Sequence, residues 1–160
     1  MRNTVRTPLR PLGRIAHRAQ RGQALVEFSL AVIPFLLILM AIFDLGRGIY
    51  TMNGTAEAAR EISRVTIVHL RDGTGPLGFS TDTTAVIATQ KNLIPGLAVA
   101  AATDITCVDQ YDQVLPDTDC TTGSNLFIKV RVRAPFEPIT PIVSAFGSHT
   151  FESISRMWIP

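Results

Sequence analysis

ALVEFSLAVIPFLLILMAIF, residues 24–43, holds a single charged side chain, Glu27, in 20 positions. A helix rises about 1.5 Å per residue, so this run spans roughly 30 Å, the thickness of a bilayer's hydrocarbon core. It reads as a transmembrane helix and splits the chain of 160 residues into a short leading segment and a longer trailing one. Six of the 15 basic residues, Arg2, Arg6, Arg10, Arg14, Arg18 and Arg21, fall in residues 1–22, which contain no acid. The remainder sets nine bases against 13 acids, so a net charge of +2 conceals +6 before the span and −4 elsewhere. Basic residues just ahead of an apolar span favour the cytoplasmic side and send the C-terminus outward. A basic tail for nucleic acid is the rival reading; the membrane segment that follows at once argues against it, and no nucleic-acid partner is expected. A cleaved secretory signal would have a shorter apolar core and a small-residue cleavage site, whereas this run leads into Phe43-Asp44-Leu45.

Outward from the span the composition stays compatible with helix. Residues 1–22 lack an apolar stripe and are expected to be disordered, with the helix starting near Gln23. Beyond Phe43, Glu57–Arg60 and Glu61–Arg64 are attractive i,i+3 pairs worth a few tenths of a kcal/mol each. Ala56, Ala59, Ile62 and Thr66 would line one face, against which a sheet can pack. The breakers Asp72-Gly73-Thr74-Gly75-Pro76 end this helix, and they lack the Lys of a phosphate loop. A second helix is expected from Asp82 to Leu93, stopped by Pro95-Gly96.

The pattern then changes to period 2. Thr103–Val108 reads as a strand, and Leu126, Ile128, Val130 and Val132 alternate with Phe127, Lys129, Arg131 and Arg133 as a half-buried one. Pro135, Pro138 and Pro141 punctuate an apolar connection, and Thr150–Ile159 reads as a closing strand. Trp158 is expected in the core. The sum is α+β: a long N-terminal helix, its first half transmembrane, packed on a small antiparallel sheet. The expected division is residues 1–22, a helix over 23–70 with its membrane segment at 24–43, and an extracytoplasmic domain over 71–160.

Cys107 and Cys120 lie on the side that the charge pattern sends outward, where an oxidising compartment favours a disulfide; two free buried thiols are the alternative. Two thiolates make half a zinc site, and no His stands at ligand spacing, so neither a metal nor a cofactor is expected. His17, His69 and His149 have no acid–nucleophile pattern around them, and an enzyme is the reading least supported. Asp44 and Arg47 are expected to mark the outer membrane edge. Pro34 would kink the span or let it melt locally. Gly46 and Gly48 would permit either close helix contact or flexibility at the membrane exit.

Glu27 is the informative residue, because a carboxylate inside a membrane helix costs up to about 3 kcal/mol and tends to be functional. A Glu one turn inside the span can also snorkel to the interface. Arg21-Gly22-Gln23-Ala24-Leu25-Val26-Glu27-Phe28 resembles the processing motif of type IV prepilins, in which a membrane aspartic peptidase cuts after the Gly and leaves the acid at the fifth mature position. The Gln-Ala-Leu-Val-Glu-Phe form, with Ala58-Ala59-Arg60 and Arg64 downstream, is similar to the TadE-like pseudopilins of tight-adherence (Flp) pilus systems. The Pro-rich connection from Pro135 to Arg156 fits loosely. Major Flp pilins are much shorter and usually carry Tyr where Phe28 stands.

That resemblance implies a basic leader at 1–22, a processing site at Gly22 and Gln23, and assembly roles for Glu27 and Phe28. It implies a prepilin peptidase, other pilins and inner-membrane pilus assembly proteins as partners, together with membrane lipid. It places the chain in a bacterial inner membrane, or in a pilus that supports adhesion and biofilm formation. An unprocessed, membrane-anchored binding domain is the alternative of a different class.

Overall fold

The computed structural model describes residues 13–70, 77–121, 125–145 and 147–160. Residues 1–12 of the basic segment and the breakers at 72–76 lie outside them. The first helix, α1, runs over Gly13–Val68, continuously through Pro34. It starts ten residues earlier than the expected onset near Gln23. Arg14 to Arg21 contain neither Gly nor Pro and are mostly good helix formers, so the backbone continues helical without an apolar face to bury. The chain divides into two units, one ending at Ala41 and one comprising Ile42–Pro160.

In the second unit α1 is followed by α2 (Thr81–Leu93), α3 (Ala101–Asp104), β1 (Ile105–Val108), β2 (Val114–Leu115), β3 (Phe127–Phe136), α4 (Pro141–Ser144) and β4 (His149–Trp158). The four strands form one antiparallel sheet in the order β2-β1-β3-β4. The architecture is α+β, with the second half of α1 packed on the sheet. Ala58, Ala59 and Ile62 of α1 meet Ile128, Val130, Val132 and Ala134 of β3 in one buried cluster, with Ile87 of α2 and Ile105 of β1. Thr66 is buried as expected, Ala56 is only half-buried, and Thr55 and Ser63 join the buried face. Their hydroxyls are satisfied within the helix: Thr55 donates to the Met52 carbonyl, Ser63 to that of Ala59, and Thr66 to that of Ile62. Glu57–Arg60 and Glu61–Arg64 form the expected pairs at 3.6 and 2.9 Å on the open side of the helix.

Ser80 caps α2 by accepting from the Thr83 amide at 3.1 Å, and its hydroxyl donates to Thr83 Oγ1 at 2.7 Å. Ile94 closes the helix, and Gly96 turns the chain at φ +76°, where a side chain would be strained and would also meet Pro135. The strand expected from Thr103 begins only at Ile105. Asp104 accepts the Ala100 amide at 2.8 Å and the amides of Thr103 and Asp104 bond back to the Ala100 carbonyl, which winds residues 101–104 into one helical turn.

β3 continues past the expected stop at Arg133 to Phe136, with Pro135 opposite Thr150 of β4. β1 no longer flanks β3 there, the last bridge on that side being Ala98–Arg133, so a residue without an N–H is tolerated. Along β4 and the residue after it the odd positions 151–159 face inward, which places Ile159 in the core and leaves Trp158 54% exposed, contrary to the core position expected of it.

Candidate functional site

Within the first unit the apolar residues of α1 point outward: Leu25, Val26, Phe28, Leu30, Ile33, Phe35, Leu36 and Ile38 are all exposed. None of this apolar window is buried by the described residues, and by length and composition the helix can cross a membrane. Amphipathic helices of soluble domains hide such residues against a core. No described residue covers them here. Gly22 is exposed, and a side chain built on it would meet nothing within 4 Å. Gln23 donates from Nε2 to Glu27 Oε1 at 3.2 Å, one turn along the same face. Phe28, next to that carboxylate, is 66% exposed. The four motif residues thus share one accessible stretch of helix, with an acid whose described partner is a neutral amide. In hydrocarbon such an acid lacks a compensating charge.

The second unit contains a carboxylate of the opposite kind. Asp44, expected as a charge at the membrane edge, is 3% exposed. Its Oδ1 and Oδ2 accept from the Ile139 amide at 3.1 and 3.0 Å, and Oδ2 also accepts from the Thr140 amide at 2.7 Å. Arg47 lies 3.3 Å from Oδ1, half exposed, with its guanidinium 5.8 Å from the centre of the Phe136 ring. The Thr140 side chain, then the amides of Ile139 and Thr140, hold the Asp44 carboxyl down to about 2, with Arg47 adding and burial opposing. The amides carry the structural weight, since Thr140 Oγ1 is itself buried outside hydrogen-bond geometry. Gly48, one turn on, faces the Phe136 ring, which stands 3.6 Å from where a Cβ would be, an ordinary packing distance that does not itself require a glycine.

Cys107 and Cys120 form a buried disulfide, Cα to Cα 5.9 Å, across the β1–β2 hairpin and the turn that follows it. The hairpin is pinned further by Asp109, which accepts from the Tyr111 and Gln113 amides at 2.8 and 2.9 Å, and by an ion pair between Asp112 and Lys129. That pair lowers the Asp112 carboxyl below its ordinary value. A second buried acid escaped the sequence reading: Asp104, 4% exposed, binds Arg133 at 2.6 Å and so ties α3 to β3. The two partners stand 29 positions apart, and nothing local signals them. Among the described residues no group of three His, Cys, Asp or Glu could hold a metal ion.

No curated protein and no solved structure matches the chain. Residues 22–64 do match a family model, that of the TadE-like protein, from the glycine ahead of the apolar run to Arg64 on the stretch of α1 that packs on the sheet. The chain therefore carries a TadE-like segment, of the family that its N-terminal motif resembles.

Proposed function

We propose that this chain is a minor pilin or pseudopilin that takes part in assembling a tight-adherence type IV pilus, and thereby supports adhesion and biofilm formation. The TadE-like segment points to a pilin-like protein of such a pilus system, in a family that is structural rather than enzymatic. The observation that carries the finer reading is the uncovered apolar helix with Glu27 inside it, directly behind Arg21-Gly22. In this account residues 1–22 are a leader, residues 23–70 the assembly helix and residues 71–160 the extracytoplasmic part, anchored in a bacterial inner membrane with the N-terminus cytoplasmic. A prepilin peptidase cuts between Gly22 and Gln23, removing all six leading arginines and creating an ammonium at Gln23.

The chemistry of assembly follows from that cut. The new ammonium and Glu27 are opposite charges on an otherwise uncharged stretch, and leaving either alone in hydrocarbon is costly. Pairing the amine of one subunit with Glu27 of a neighbouring pilin fixes register even where the net energy is small. Phe28 packs beside that pair. Inner-membrane assembly proteins and other pilins are the partners, with lipid around the helix until a subunit is taken up.

The test is the yield of sheared surface fibres from cells of the source bacterium lacking this chain. Fibre yield should fall, recover with the wild-type chain, and fail to recover with Glu27→Ala expressed to the same level. Undiminished fibres without the chain, or full recovery by Glu27→Ala, would contradict the proposed role.

A further inference from the structure

We infer that the connection between β3 and β4 is a second membrane contact, with residues 138–141 lying in the lipid headgroup layer beside the helix. The inference rests on residues 24–43 spanning a bilayer. Asp44 follows Phe43, the last residue of that span, and takes the amides of Ile139 and Thr140 at 2.7–3.1 Å. This fixes the connection at the level where the helix leaves the hydrocarbon. The composition suits that place: between Glu137 and His149 the sequence has no charged side chain, and Ile139 stands 64% exposed.

Backbone donors suit it as well. An N–H without a partner is disfavoured at the edge of the hydrocarbon, where water is scarce. In Pro138-Ile139-Thr140-Pro141 the two prolines have no N–H, and both remaining donors are the ones Asp44 accepts. The same bonds take the Asp44 charge out of the bilayer edge, and half-exposed Arg47, 3.3 Å away, can extend toward phosphate. Leu45 continues the exposed apolar surface of α1 about 3 Å beyond Phe43, into a headgroup layer roughly 5–8 Å thick. The occupant that fits is lipid, because this surface is continuous along one helix with the span itself.

The test uses the full chain in vesicles of phosphatidylethanolamine and phosphatidylglycerol. Trp158→Phe removes the one native Trp, and Ile139→Trp, Leu36→Trp or Val114→Trp supplies a single reporter. Trp at 139 should lose fluorescence to a nitroxide carried near the headgroup and be protected from aqueous iodide. Trp at 114, on the exposed β2, should respond to iodide alone. In the unaltered chain a photoactivatable lipid should label the tryptic peptide 134–156 as well as the span peptide 22–47, which guards against a misfolded variant.

Iodide quenching at 139 equal to that at 114, or labelling confined to the span, overturns the inference while lipid quenching at 36 upholds the span. Shielding of 139 from both quenchers means that protein covers it, and overturns the lipid assignment. Absence of lipid quenching at 36 overturns the span, and the inference with it.

Discussion

Asp44 and Glu27 are two carboxylates on one helix, and their surroundings give them opposite tasks. Asp44 is enclosed by amide donors, and its charge is part of the folded structure. Because its carboxyl is lowered from 3.8 to about 2, its contribution to stability is fully present above the ordinary carboxylate value and is lost as pH falls through about 2. Asp44→Asn should therefore lower the denaturation midpoint at neutral pH and flatten its pH dependence between those two values. An unchanged acid-side profile in titrated denaturation curves would remove the assignment. Glu27 has no such cage, consistent with a charge held for something outside the chain. Little of this difference was legible in the sequence, where both acids border apolar residues. The partners of Asp44 lie 95 and 96 positions away, and only the folded chain brings them together.

At the scale of elements, hydrophobic period decided most of the outcome. Ile128, Val130 and Val132 alternate strictly, and the strand they foretell is the centre of the sheet with all three fully buried. The face of α1 was legible through Ala59, Ile62 and Thr66. Thr55 and Ser63 were not, because their hydroxyls look polar until the bond back to the preceding turn is counted. Pro135 misled for a similar reason: a proline forbids only a ladder bond, and at the end of β3 none is needed on the side that β1 has left. Trp158 departs from its expected core position because it stands at an even position of a strand whose odd positions face inward.

Two substitutions measure these packing claims. Ile62→Ala, at a site with no solvent exposure, should cost about 2–5 kcal/mol in urea denaturation through transfer and cavity terms. Ser80→Ala should cost about 1 kcal/mol by uncapping α2. A loss under a few tenths of a kcal/mol in either would mean that the element is held by something else.

At the scale of the molecule, the sheet and the second half of α1 packed on it form one unit, and the other holds the apolar first part of α1, which no described residue covers. The first is stabilised by its own core and by the Cys107–Cys120 bridge, whose reduction should cost on the order of 3 kcal/mol, read as a lower denaturation midpoint in reductant. The second is long and apolar enough to cross a membrane, and the charge step from +6 to −4 is the feature from which its proposed orientation is read. Fold class and the place of the long apolar helix were legible because they depend on period and length alone. The Asp104–Arg133 tie and the docking of residues 139–140 depend on distant partners and were not. The central claim is that the leader is removed after Gly22, and the intact mass of the protein extracted from membranes of cells that hold the matching peptidase tests it most directly. A chain beginning at Gln23, whether methylated there or not, is the predicted result; a chain that still carries Arg2 through Gly22 would contradict the account.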